Sequence, residues 1–196
     1  YYVNKADNKD INTIDKSRNV LMSFFGRANY SYKERYLLTA TLRADASSKL
    51  SKNNRWGYFP SVALAWNIKN ETFLKENEKI NDFKLRFGYG EVGNVNGLGD
   101  YISYTNYTRS QDGASYQFGN RFYQNYRPEA TNKNLRWERG NTLNAGIDFA
   151  LYNNLITGTL DVYRKITKDL IADTAIDPFT NFRNRVNTNV GDMENK

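Results

Sequence analysis

Phe87 to Gly97 reads FGYGEVGNVNG. Gly88, Gly90 and Gly93 form G-x-G-x-x-G, and Val95 extends it to G-x-G-x-x-G-x-V. Such spacing can cradle a phosphate, because glycine lets backbone N–H groups come close to it. A dinucleotide site needs these glycines to open a helix inside a β-α-β unit. Here the chain runs on as NVNGLGDYISYTNY, which has no helical period. A kinase loop needs a V-A-I-K lysine and an H-R-D loop; the chain holds no VAIK and no His. Both nucleotide readings fail. Gly88 and Gly90 instead mark a bend or a close backbone approach within a strand. Gly93, Gly97 and Gly99 supply turn geometry where the chain leaves it.

The other candidate chemistry is equally thin. The absence of His and Cys removes the usual zinc sites, Ser-His-Asp catalysis and cysteine nucleophiles. Glu91, Glu129, Glu138, Asp148 and Asp161 are carboxylates, but no spacing sets two of them across a scissile bond. Asp148 and Asp161 fall on the polar faces of two adjacent strands, where a hydrated network with Arg and Lys accounts for them. No catalytic, cofactor or metal residue is assigned, and the chain is read as no enzyme. Lys and Arg number 28 against 21 Asp and Glu, a net +7. They are scattered singly, without the basic stripe that a phosphate backbone needs, so nucleic acid is not a predicted partner. Asn106-Tyr107-Thr108 has the form of a glycosylation acceptor and is read as chance.

The elements that must carry these residues alternate with period two. Met22, Phe24, Gly26, Ala28, Tyr30 and Tyr32 share one face, and Ser23, Phe25, Arg27, Asn29 and Ser31 the other. The same pattern recurs through Tyr36–Ala44, Val62–Ile68, Phe83–Tyr89, Leu143–Leu151 and Ile156–Val162. It predicts strands over about residues 20–32, 35–46, 59–69, 82–92, 141–152, 155–167, 168–177 and 186–194. The runs reach the roughly 9–11 residues of a membrane-crossing strand, longer than the usual five or six. One face is apolar. The opposite face carries Arg27, Arg43, Asp45, Lys84, Arg86, Asp148 and Asp161 and is predicted to line a hydrated lumen. Connections alternate between short (Lys33-Glu34, and Asn153-Asn154 as a two-residue turn) and long, the longest about 93–138. Aromatic residues crowd the strand ends, as in a membrane girdle. The fold class is therefore all-β: antiparallel transmembrane barrel strands with long external loops. The alternative is a soluble, aromatic-rich β-sandwich that binds carbohydrate.

The long loop is the candidate binding element. Tyr101, Tyr104, Tyr107, Tyr116, Phe122, Tyr123 and Tyr126 stand among polar residues with Arg109 and Arg121. Tyr offers rigid amphipathic area at low entropic cost, which suits contact with a substrate or a protein lid. Packing of the loop over the barrel mouth explains the same enrichment.

The order SFFGRANYSYKERYLLTATLRADASSKL, NNRWGYFPSVALAW, FKLRFGYGEVGN and NLRWERGNTLNAGIDFALYNNLITGTLDVYRKITKDLI resembles the barrel of the SusC/RagA family. These are TonB-linked (TonB-dependent) outer-membrane transporters of the Bacteroidetes type. The resemblance implies part of a barrel of about 22 strands around a plug. It covers the chain from about Val20 onward as one segment, 1–196, a central-to-late portion of such a barrel with no plug domain. It further implies uptake of an oligosaccharide or peptide substrate across the outer membrane, with its lipid around the wall. Its implied partners are a SusD-like surface lipoprotein and, through the plug, the TonB complex.

Overall fold

The computed structural model describes residues 17–109, 113, 115–177 and 185–196. Four long strands come first: β1 Leu21–Tyr32, β2 Tyr36–Ser47, β3 Trp56–Asn67 and β4 Ile80–Asn94. Four short ones follow: β5 Tyr107–Arg109, β6 Tyr116–Phe118, β7 Arg121–Tyr123 and β8 Tyr126–Pro128. Then come β9 Glu138–Leu151, β10 Ile156–Lys168, β11 Ile171–Ala175, β12 Arg185–Asn189 and β13 Met193–Asn195. One sheet of seven strands, ordered β1-β2-β3-β4-β9-β10-β13, runs antiparallel throughout. The other short strands form the separate pairs β11-β12, β5-β8 and β6-β7.

Register carries each sequence face onto one side of the sheet. Across β2–β3 the pairs Leu42↔Pro60, Ala40↔Val62, Leu38↔Leu64 and Tyr36↔Trp66 join apolar residues. Across β4–β9 the pairs Tyr89↔Leu143, Phe87↔Ala145 and Leu85↔Ile147 continue the same side. Among the described residues no second layer covers it. Phe24 is 61% exposed, Leu64 50%, Phe87 53% and Leu160 66%. The chain exposes 15117 Å², where a compact monomer of its mass would expose about 9,500 Å². A sandwich buries this face between two sheets, so the geometry is that of a wall.

The wall has the height of a membrane band. Trp56 to Trp66 span about 33 Å along β3, or about 25 Å along the membrane normal at a tilt near 40°. Stacked rings mark both ends. Phe24 lies on Trp56 at 6.2 Å at one, and Tyr32, Tyr36 and Trp66 form a row at 6.5 and 6.1 Å at the other. Connections of residues 33–35, 68–79 and 152–155 lie at the Trp66 end, and those of 48–55, 95–137 and 169–192 at the Trp56 end.

Three details differ from the sequence reading. The connection between β9 and β10 is not a two-residue turn at Asn153-Asn154. Leu151↔Ile156 is the last pair, and Tyr152, Asn153 and Asn154 are all left-handed at φ 50, 55 and 64. β3 begins at Trp56 rather than near 59, because Trp56 and Tyr58 pair with Ala46 and Ala44. The stretches 168–177 and 186–194 are not two continuous wall strands. Asp169 turns left-handed at φ 54, which breaks the run and lifts β11 out to pair with β12, leaving only β13 on the sheet edge.

Candidate functional site

The polar face organises its charges around Arg86. Its guanidinium grips Asp148 with two bonds, Nε to Oδ2 at 2.8 Å and Nη2 to Oδ1 at 2.9 Å. Nη2 also reaches Asp161 Oδ1 at 3.0 Å. In register, Arg86 faces Gly146, and Gly146 faces Asp161. The arginine therefore crosses a whole strand to reach its second carboxylate, and only a glycine leaves room. A Cβ on Gly146 would strike Asp161 Oδ1 and lie 2.9 Å from Arg86 Nη2. Thr159 Oγ1 donates to Asp148 at 3.1 Å, and Lys84 stands opposite Asp148. Four of the predicted lumen residues thus form one network on β4, β9 and β10.

The other three lie on β1 and β2. Arg27 Nε donates to Thr41 Oγ1 at 3.2 Å. Arg43 Nε donates to Asp45 Oδ1 at 2.8 Å, and Asp45 is only 5% exposed. Thr41, Arg43 and Asp45 line a cavity of about 160 Å³ together with Phe59, Ser61 and Glu91. Between the two charged groups the wall is low: Ser61 faces Gly90 and Ala63 faces Gly88. Among the described residues no group of three or more carboxylates is placed to hold a metal ion.

The glycines of the opening motif serve these neighbours. All three lie in β4, and among the described residues no helix follows. The Asn144 amide fills the space over Gly88, and the Phe59 ring fills the space over Gly93. Gly97, at φ 84, starts the long loop. No phosphate cradle forms here: Gly88 and Gly90 pair with β3 and β9 alike, and Gly93 pairs with Arg139 of β9 beneath the Phe59 ring.

That loop is anchored by residues the sequence reading passed over. Leu50, Phe59, Leu98, Leu135 and Trp137 form the buried apolar cluster, with Val95, Ile102 and Ile171 packed on it. Side chains staple the neighbouring segments. Ser51 Oγ donates to Lys133 O at 2.8 Å, Asn54 Nδ2 to Leu135 O at 3.2 Å, and Trp137 Nε1 to Arg55 O at 3.0 Å. Asn189 Nδ2 donates to Arg136 O at 3.1 Å and Asp169 O at 2.7 Å, while its Oδ1 accepts from Arg136 N at 3.0 Å. Ser17 and Asn19 donate to Asp100, and these two bonds hold its carboxyl below the ordinary range. The signal available in sequence was the placing of Leu98, Leu135 and Trp137 within otherwise polar stretches.

Beyond this base most of the predicted contact residues lie on two nested strand pairs, with β6–β7 inside the connection of β5–β8. Tyr107, Arg109 and Tyr126 belong to β5–β8, where Arg109 faces Tyr126. Tyr116, Arg121, Phe122 and Tyr123 belong to β6–β7, where Tyr116 faces Tyr123. Gly119 at φ 59 makes the tip. Phe118 is 72% and Phe122 69% exposed. Tyr101 and Tyr104 meet edge-to-face at 6.4 Å near the base of the loop.

At the opposite end of the wall Glu71 forms a clasp. It accepts from Arg35 Nη1 at 3.0 Å, Tyr36 OH at 2.8 Å and Trp66 Nε1 at 3.1 Å, joining a turn and two strands. The bonds from Tyr36 and Trp66, helped by Arg35, hold its carboxyl below the ordinary range against the effect of burial.

The geometry can be set beside known proteins. The family described as "TonB dependent receptor-like, beta-barrel" matches residues 1–196. The TonB-dependent receptor SusC of Bacteroides thetaiotaomicron is 47% identical over 180 residues, 91% of this chain and 18% of that protein. The TonB-dependent receptor P26 of Formosa agariphila is 36% identical over 200 residues, 98% of this chain and 19% of that protein. The RagAB peptide importer in its open-open state superposes with a TM-score of 0.77 at 27% identity, over 90% of this chain and 18% of that one. This chain spans less than a fifth of the length of the curated relatives it matches.

Proposed function

The chain belongs to the TonB-dependent receptor β-barrel family, and on that premise we propose that it forms part of the wall and external loops of an energy-coupled outer-membrane importer. The family is one of receptors and transporters rather than enzymes. One observation carries the reading. A single sheet is apolar and uncovered on one face and charged on the other, with its longest connections gathered at one end. Lipid suits the first face, and a water-filled lumen suits the second. The Arg86–Asp148–Asp161 network and the Arg27, Arg43 and Asp45 group then give the lumen wall a neutralised, hydrogen-bonding surface. The cargo is an oligosaccharide or a peptide; the RagAB relative is a peptide importer, and SusC is nearer in sequence. A SusD-like surface lipoprotein caps the barrel, and the TonB complex acts through the plug of the whole protein.

The aromatic hairpins of the long loop are the contact surface for cargo or lid. Their rings are largely exposed although the base of the loop is fixed, which is the arrangement of a rigid support with an unfilled aromatic tip. The test uses the full-length transporter in its own cells. Uptake of labelled oligosaccharides and peptides is compared between wild type and a variant with Tyr107, Tyr116, Tyr123 and Tyr126 changed to Ala. We expect uptake of one class to fall about tenfold or more, as removal of several aromatic anchors does elsewhere, while the outer-membrane band still shifts on boiling. Unchanged uptake of both classes removes the loop from the function. A band absent from the outer membrane removes the importer.

A further inference from the structure

A cavity of about 310 Å³ opens where the apolar band of the wall ends, lined chiefly by Asn53, Asn54, Trp56, Arg136, Arg139 and Asp169. Two of these residues fix its place. Trp56 lies on the membrane-facing register, two steps from Tyr58, and stacks on Phe24. Arg139 falls in the register of Leu143, Ala145 and Ile147 of β9, at the strand end where β3 and β4 no longer pair and its guanidinium lies 5.9 Å over the Phe59 ring. The cavity is therefore level with the girdle on the long-loop side, where lipid headgroups lie.

Its charge points outward. Arg136 pairs with Asp169 at 2.8 Å, yet the arginine side chain is 62% exposed and the aspartate 32%. Arg139 stands 3.8 Å from Glu91, with side-chain exposures of 42% and 16%. In both pairs the acid is the inner partner. Lys168 lies directly opposite Arg139 in the β9–β10 register. Two like charges in that position repel across a strand pair, and an anion between them removes the repulsion. A second cavity of about 530 Å³ shares Asn54 and Arg136 with the first and adds Asn132, Asn134, Thr188 and Asn189. Amides and hydroxyls of that kind bond sugar hydroxyls.

We propose that this rim binds the headgroup of a phosphorylated glycolipid of the outer leaflet. The phosphate sits against Arg136, Arg139 and Lys168, and the sugar faces the asparagine-lined cavity. The acyl chains run down over Trp56, Tyr58 and Phe24. The proposal rests on the reading of the sheet as an outer-membrane wall, and its test is chosen so that the two fail differently.

Full-length transporter, purified in detergent, is titrated with diphosphorylated lipid A, dephosphorylated lipid A, phosphatidylglycerol and inorganic phosphate, with the midpoint of thermal unfolding as the readout. Diphosphorylated lipid A is expected to raise the midpoint at concentrations about tenfold lower than the other lipids, since each basic residue near a headgroup adds comparably. The R136A/R139A double variant is expected to lose that preference while its folded band still shifts on boiling. Lys168→Ala, outside the loop's apolar cluster, is the second variant and should weaken the preference by itself. Equal responses to phosphatidylglycerol, dephosphorylated lipid A or inorganic phosphate overturn the inference. So does a preference that survives both variants. Absence of the protein from the outer membrane sinks the wall reading itself; its presence there without a lipid A preference sinks this inference alone.

Discussion

Gly146 shows how far a single missing side chain shapes the polar face. Arg86 reaches Asp161 only because nothing stands on the strand between them. Gly146→Ala is expected to break that bond and to destabilise by about 1–3 kcal/mol, the range for forcing a methyl into a filled site. Gly26→Ala makes the control, since no atom lies within 4 Å of a Cβ built there. The temperature at which the folded band is lost on heating should drop for the first variant and stay put for the second. Glu71 offers a different kind of residue test. Its carboxyl is held below the ordinary range by Tyr36, Trp66 and Arg35. A depressed folded pKa adds stability above the unfolded value, and that stability disappears as pH falls through the folded value. Glu71→Gln should therefore be less stable than wild type at neutral pH and should lose part of the acid sensitivity below about pH 4. Parallel melting curves for the two proteins under acid would refute the clasp.

At the scale of elements, the question is what keeps a loop of residues 95–137 in place. Propensity alone does not, because its own strands are three residues long. The support comes from the β11–β12 hairpin and the β2–β3 connection, joined through Asn189, Asn54 and the Leu135–Trp137 segment. Asn189 meets both the N–H and the carbonyl of Arg136. Removing it strips partners from three backbone groups, at about 1–3 kcal/mol for each one left buried. Asn189→Ala should then speed limited proteolysis between residues 95 and 137 without slowing outer-membrane insertion. Cleavage at the wild-type rate would mean the hairpin is not the support.

For the whole molecule, the two faces of one strand should respond in opposite ways to the same charge. Val62 and Ser61 are neighbours in β3 midway between the two tryptophans, with Val62 on the apolar side and Ser61 on the polar one. Arg at Val62 should cost about 2–4 kcal/mol, the value for a cation at the bilayer midplane, while Arg at Ser61 should be nearly neutral. Folding yield into lipid vesicles separates the two. Equal yields would mean that Val62 does not face lipid.

The sequence by itself determined the long strands, the two faces and the shared face of Arg27, Arg43, Asp45, Lys84, Arg86, Asp148 and Asp161. Side-chain direction alternates with a period of two whatever the strand pairs with, so Arg86, Asp148 and Asp161 were legible as polar-face neighbours. It also disposed of the nucleotide motif, because the absent helix and the absent His are properties of the chain alone. Only the tertiary structure decided which charges touch. The Arg86–Asp161 bond depends on register across β4, β9 and β10, and register is a relation between strands far apart in sequence. The same holds for Phe59 over Gly93, Glu71 beneath Trp66, and Asn189 against Arg136. Where Asp169 turned left-handed, the stretches 168–177 and 186–194, expected as wall strands, gave the separate β11–β12 pair and a short β13. A polar loop is anchored by partners it meets in space, and no local period records them.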